Sequence, residues 1–128
     1  MKHQASTDRA PSAPHLLSQA IISNGFVFVA GQVHVLPDNT LVEGSVKDKV
    51  AQIIKNISEV LASAGAELDD IVKVVIYVTD MAIMPELNET YPTYFKQPFP
   101  VREAVCVKAL PLNASIEISV IAEQNSSI

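Results

Sequence analysis

Two runs in the chain, Phe26-Val-Phe-Val29 and Val72-Lys-Val-Val-Ile-Tyr-Val78, are apolar at almost every position. Side chains on a β-strand alternate between faces, so a run without alternation is buried on both sides of its sheet. A chain with two such strands must cover both faces of one sheet. The 128 residues supply two helical stretches. Two helices, each about 10 Å across, cover one face of a sheet whose strands lie about 4.8 Å apart. The other face needs a second chain, and oligomerisation is the expected answer.

The helical stretches are read from spacing. Val46, Val50, Ile53, Ile54, Ile57, Leu61 and Ala64 recur on one stripe, as an amphipathic helix requires. Ser45 and Asp48 resemble a capping box, and Gly65 marks the stop. A second helix is expected from about Met81 to Lys96. Pro85 suits its first turn, whereas Pro92 should kink it and free the carbonyl of Asn88. Strands are expected over Leu16–Ile22, Gly25–Gln32, Thr40–Val42 and Ile71–Val78, with turns at Asn24-Gly25 and Pro37-Asp38-Asn39. The polar, proline-bearing residues 1–14 read as a loosely ordered lead-in to a single domain spanning 1–128. The expected class is α+β: a mixed sheet with two helices on one face.

Charge narrows the partners. A net charge of −5 and a pI near 5.0 argue against nucleic acid, which is bound through clustered Lys and Arg. No apolar run is long enough for a membrane span, and residues 1–14 lack the apolar block of a secretory signal. Cys106 is the only cysteine, so no internal disulfide can form and a reducing compartment fits. The expectation is cytoplasmic. Lys2 and Arg9 raise a mitochondrial alternative, against which Asp8 counts. His3, His15 and His34 show no ligand spacing, so no metal is expected.

The stretch Phe99–Ala122 carries the chemistry. It reads as two strands joined by a turn around Leu110-Pro111-Leu112-Asn113. Arg102 and Glu117 sit where strands normally hold apolar or small residues. If Val101, Val105 and Val107 face the core together with Ile116, Ile118 and Val120, Arg102 and Glu117 point the same way, across the sheet from that core. In that register Glu117 pairs near Cys106 or Lys108, and Arg102 lies roughly 13–20 Å along the neighbouring strand. A small acid and a water would fit between them, over Ala104 and Cys106. Arg102 can bind a carboxylate through two parallel hydrogen bonds, or form a structural salt bridge at a strand start. Glu117 can orient a water or accept its proton, or can belong to a solvated strand face beside Ser115 and Ser119.

Pro100-x-Arg102, the alternating valines, Leu110-Pro111 and the strand Ile116-Glu-Ile-x-x-Ile-Ala122 resemble the signature of the Rid family, the YjgF-like reactive-intermediate deaminases of which RidA is the namesake. Gly31-Gln32, Ala64-Gly65, Asp70-Ile-Val-Lys73 and Asn88-Glu-Thr-Tyr91 extend the resemblance over nearly the whole chain from about Ala10. The resemblance implies a chorismate-mutase-like homotrimer with sites at the subunit interfaces. It implies hydrolysis of 2-enamine or 2-imino acids to 2-oxo acids and ammonia, without a cofactor. Arg102 would grip the substrate carboxylate and Glu117 would hold the attacking water. Gly31, Asn88, Ala104, Val105 and Leu17 would line the site, with backbone groups near Gly31 and Val105 taking the remainder of the ligand. Taken alone, Asn88 is a helix-surface asparagine and Gly31 a strand end.

Three positions depart from the family pattern. Its N-terminal tyrosine falls on Leu17, its serine before the glycine on Ala30, and its cysteine after the arginine on Ala104. A lost donor at a transition state costs about 10- to 1000-fold. Two rivals therefore stand beside the deaminase: a non-catalytic module that binds small carboxylates, and a ribonuclease, which the acidic charge disfavours.

Overall fold

The computed structural model describes residues 1–124. Six strands form one mixed sheet: β1 (His3–Ala5), β2 (Ala20–Ser23), β3 (Phe26–Val33), β4 (Ile71–Val78), β5 (Val101–Cys106) and β6 (Ile116–Glu123). Their order is β1-β2-β3-β6-β4-β5, antiparallel throughout except for the parallel pair β4–β5. Two α-helices, α1 (Val46–Ser63) and α2 (Met84–Thr90), lie on one face. The α+β class and the two-helix layer are as the sequence suggested.

The α1 stripe is the centre of the core. Val50, Ile53, Ile57, Val60 and Leu61 are fully buried against Val74, Ile76 and Val78 of β4 and Ile116, Ile118 and Val120 of β6. The Ser45 hydroxyl accepts from the Asp48 N–H at 3.1 Å and caps the first turn. At the far end Gly65 takes φ +74°. The N–H of Ala66 bonds the Leu61 carbonyl and that of Gly65 the Ala62 carbonyl, the paired closure that a left-handed glycine permits.

Several expectations are corrected. β5 and β6 are not a hairpin. β6 inserts between β3 and β4, and β5 runs parallel to β4 at the sheet edge. The alternating burial of β6, with Ile116, Ile118, Val120 and Ala122 all buried, belongs to a central strand. Exposed β5 has no such pattern and takes the rim. In a parallel pair, residues in register share a face, and Arg102 is opposite Val74 while Glu117 is opposite Tyr77. Arg102 therefore faces the helix layer and Glu117 the open side, on opposite faces of the sheet rather than the same one.

The second helix is shorter than expected. Met81–Ile83 form a 3-10 turn capped by Asp80, α2 stops at Thr90, and Tyr91–Tyr94 continue as a second 3-10 turn. Pro92 has no N–H to give the Asn88 carbonyl, so the α-helical ladder ends there. The first major strand begins at Ala20, not Leu16. The N–H groups of Leu16 and Leu17 both bond the Ala13 carbonyl in a turn. Within the stretch expected to be a loose lead-in, His3–Ala5 add an edge strand to β2, and Ala5 and Ala10 are buried. Thr40–Val42 contribute only a single bridge, Val35 to Leu41.

The open face carries Phe26, Phe28, Val101 and Val105, all exposed large apolar residues. None of the helices among the described residues is long and apolar enough to cross a membrane.

Candidate functional site

β3 changes face just before the site. Val29 pairs with Val120 and Gln32 with Ile118, so Ala30 and Gly31 together oppose Ser119. This bulge shifts the alternation by one residue and brings Val33 opposite Glu117, onto the open face. Bulges of this kind often re-aim side chains beside active sites. Buried Asn56 of α1 anchors the strand end. Its Nδ2 donates to the Val35 carbonyl at 2.8 Å and more weakly to that of Val33 at 3.4 Å.

Glu117 borders a cavity of about 380 Å³. Leu16, Leu17, Ala30, Gly31, Val33 and Leu112 form much of its wall, which is largely apolar. Withdrawal from water pushes the Glu117 carboxyl above its ordinary value of 4.5, because the charged form loses more solvation than the neutral one. Contact rather than backbone angle favours glycine at position 31. A Cβ there would overlap Glu117 Oε2 and stand 2.9 Å from its Cδ.

The N-terminal wall is held by Gln19, which is buried. Its Nε2 donates to the carbonyls of Pro11 at 2.8 Å, Thr7 at 3.0 Å and Ala10 at 3.2 Å, and its Oε1 accepts from the Thr7 N–H at 2.7 Å. The opposite wall, Pro111–Asn113, is a tight turn in which Leu112 has φ 59°. A left-handed leucine is strained and persists only when its surroundings fix it.

Arg102 belongs to a different neighbourhood. Its guanidinium carbon sits 5.0 Å from the centre of the Tyr91 ring, a cation–π contact between β5 and the turn after α2. Neither ion pair among the described residues, Lys73–Glu103 or Lys96–Asp69, involves it. Its exposed guanidinium is free of carboxylates there, so the structural salt-bridge reading finds no support. Tyr91 is buried, and its hydroxyl has no hydrogen-bond partner among the described residues. Ala104 packs against the core from the same face as Arg102, Val105 points to the open face opposite Tyr77, and Asn88 is exposed on α2.

The expected site residues thus fall into two groups. Leu17, Gly31 and Glu117 meet at the cavity, while Arg102 and Ala104 share the helix-side face of the edge strand. On β4, their register positions are Val74 for Arg102 and Tyr77 for Glu117. Two strand spacings and three residues of rise separate the two Cα atoms by about 14 Å, and the side chains diverge from there. No small acid bridges them within one protomer. No cluster of His, Cys, Asp or Glu suited to a metal ion occurs among the described residues.

Sequence reading missed Gln19, Asn56 and His34, all buried polar residues. Their partners are backbone groups distant in the chain, which no spacing rule reveals. Leu112 was seen only as part of a turn.

Comparison with known proteins matches the chain over residues 7–124 to the family model described as Endoribonuclease L-PSP. Protein MMF1, mitochondrial, of Saccharomyces cerevisiae is 40% identical over 121 residues, covering 94% of this chain and 83% of that protein. The 2-iminobutanoate/2-iminopropanoate deaminase of Rattus norvegicus is 38% identical over 120 residues, covering 93% and 88%. The crystal structure of yeast Mmf1 superposes with a TM-score of 0.94 at 39% identity, covering 98% of this chain and all of that one.

Proposed function

The chain belongs to the Rid family of YjgF-like proteins, and from that premise we propose that it hydrolyses reactive 2-imino acids, and the enamines that precede them, to 2-oxo acids and ammonia. The observation that carries this reading is the partly desolvated Glu117 carboxylate held beside Gly31 on the wall of a largely apolar cleft. A carboxylate with a raised affinity for protons is a better base toward water than one in bulk solvent. Glu117 takes a proton as water adds to the imine carbon. The tetrahedral adduct then expels ammonia, and the proton returned to the nitrogen assists its departure.

Arg102 supplies the second half. Its planar donors, free of protein carboxylates among the described residues, suit the substrate carboxylate. Because it lies on the opposite face from Glu117, the complete site combines Arg102 of one protomer with Glu117 of another. Asn88 and Ala104 contribute from the Arg102 side, Leu17 and Gly31 from the Glu117 side, and Val105 lies on the Glu117 face of β5. The exposed apolar residues Phe26, Phe28, Val101 and Val105 would be covered in a homotrimer, the assembly we propose. No cofactor enters the chemistry, and the reading favours a metabolite-repair role in the cytoplasm.

Leu17 supports a second reading. It brings no hydroxyl to the cavity, as a non-catalytic binder of small carboxylates could tolerate. A coupled assay with freshly generated 2-iminobutanoate separates the two: acceleration over free solution supports the enzyme, and ligand binding without acceleration supports the binder. Ribonuclease activity, which the family description suggests, fits poorly with a net charge of −5. Cleavage of RNA by pure protein, abolished in Arg102→Ala, would revive it.

A further inference from the structure

His34 follows the β3 residue that pairs with Glu117 and is 1% exposed. Both ring nitrogens are engaged. Nδ1 lies 2.8 Å from the Val42 carbonyl, and Nε2 lies 2.9 Å from the Ser115 backbone nitrogen. A backbone N–H can only donate and a carbonyl can only accept. The tautomer is therefore fixed: the neutral ring carries its proton on Nδ1 and accepts at Nε2. The Ser115 hydroxyl stands 3.4 Å from the same Nε2 and accepts from Lys49 Nζ at 3.0 Å.

These bonds join two walls of the Glu117 cavity. Val33 and Val35, on either side of His34, line one wall, and Pro111 and Leu112 line the other. Ser115 lies between the strained Leu112 turn and Glu117, two residues before the carboxylate. We propose that His34 is a positioning residue: its neutral ring clasps the start of β6 to the end of β3, and so sets where the Glu117 carboxylate points. The inference rests on the deaminase reading for its catalytic consequence, but the clasp itself does not.

Protonation would break the clasp. A proton on Nε2 would face the Ser115 N–H, donor against donor, and leave that part-buried N–H without its partner. The charged neighbours are Lys49 on α1, which opposes protonation, and Glu43 in the loop before it, which favours protonation. Burial is the largest influence and holds the ring below its ordinary 6.5. The folded state thus binds fewer protons than the unfolded state between that lowered value and 6.5. Stability contributed by the neutral ring is complete above 6.5 and is lost as pH falls through the folded value.

Long-range nitrogen–proton NMR of the full chain reads the tautomer directly. The expected result at neutral pH is the Nδ1-protonated form, and the Ser115 amide should lose its protection factor as the ring titrates. An Nε2-protonated ring, or a Ser115 amide indifferent to the ring's charge, would overturn the clasp whatever the enzyme does. A second arm uses His34→Gln, which keeps an acceptor near Ser115 but cannot titrate, alongside His34→Ala. In His34→Ala, kcat for 2-iminobutanoate should fall ~10-fold or more, with KM within about twofold, because the carboxylate grip lies elsewhere. His34→Gln should recover part of kcat and lose the His-dependent acid limb. Equal losses in both variants with an unchanged pH profile would assign His34 a purely structural role. Absence of deamination in the wild type would count against the functional reading while leaving the NMR result to decide the clasp.

Discussion

The Glu117 carboxylate occupies the space that a side chain at Gly31 would fill. Gly31 has no left-handed backbone angle to explain its glycine. The constraint is the close approach of a carboxylate across the β3 bulge. In Gly31→Ala the flexible end of Glu117 can swing aside, so the fold should tolerate the change. The melting temperature should shift by no more than a few degrees, as about 0.5–1 kcal/mol would give. If Glu117 is the base proposed above, misplacing its oxygen should still cost ~10- to 100-fold in kcat. Steady-state kinetics beside a thermal melt test this. A large loss of stability together with unchanged kcat would contradict it.

Burial of Glu117 predicts a pH dependence. Its carboxyl holds a proton above the ordinary 4.5, and only the ionised form can accept one from water. The rate should therefore rise with pH through a value higher than 4.5, and that rise should vanish in Glu117→Gln along with most of the activity. For stability the sign is opposite. The folded state holds the extra proton between 4.5 and its raised value, so ionising Glu117 over that window costs stability. Glu117→Gln should be at least as stable as wild type at neutral pH by denaturant unfolding.

Arg102 should matter for binding and little for folding. Its main intramolecular contact is the Tyr91 ring, worth about 0.5–1 kcal/mol at an exposed site. Arg102→Ala should lose affinity for small 2-oxo acids by calorimetry while the oligomer stays intact. Arg102→Lys should recover little, because an ammonium cannot make two parallel bonds to a carboxylate. Unchanged affinity in either variant would remove Arg102 from the site.

How much of this was legible depended on the range of the determinant. The α1 stripe and its Ser45 and Gly65 ends are local patterns, and the structure keeps them. Ile71–Val78 was placed to the residue because its β-branched run is bounded on both sides. The partners of β5 and β6 were not legible. A turn of four residues looks like a hairpin, and nothing local says that β6 inserts between β3 and β4. The expectation that the β5 valines face the core put Arg102 and Glu117 on the same face, whereas Val101 and Val105 lie on the open side. The bulge at Ala30-Gly31 and the His34 bonds were hidden for the same reason, since each depends on a neighbour supplied from across the fold.

Leu17 offers a gain-of-function test. It lines the Glu117 cavity with an apolar branch and is half exposed. Leu17→Tyr should place a hydroxyl at that wall and raise kcat by ~10-fold or more, with little change in stability, since removing such a donor commonly costs that much. An unchanged kcat with intact ligand binding would mean that the remaining groups complete the chemistry without it.

The opposite-face placement of Arg102 and Glu117 makes the sharpest prediction. If every site takes Arg102 from one protomer and Glu117 from another, Arg102→Ala and Glu117→Gln chains are each inactive alone but complementary when mixed. In an oligomer assembled from equal amounts of both, a site is whole only when its Arg102 side comes from the Glu117→Gln chain and its Glu117 side from the Arg102→Ala chain. Random assembly makes roughly one quarter of the sites whole. Co-refolding the two variants should therefore restore about that fraction of wild-type activity, whereas mixing them without subunit exchange should restore none. Were both groups to act within one chain, every site would lack one of them and no mixture could recover activity. A double variant, Arg102→Ala with Glu117→Gln, refolded with wild type gives the control. A site shared between chains then retains activity in proportion to the square of the wild-type fraction, and a site within one chain in simple proportion.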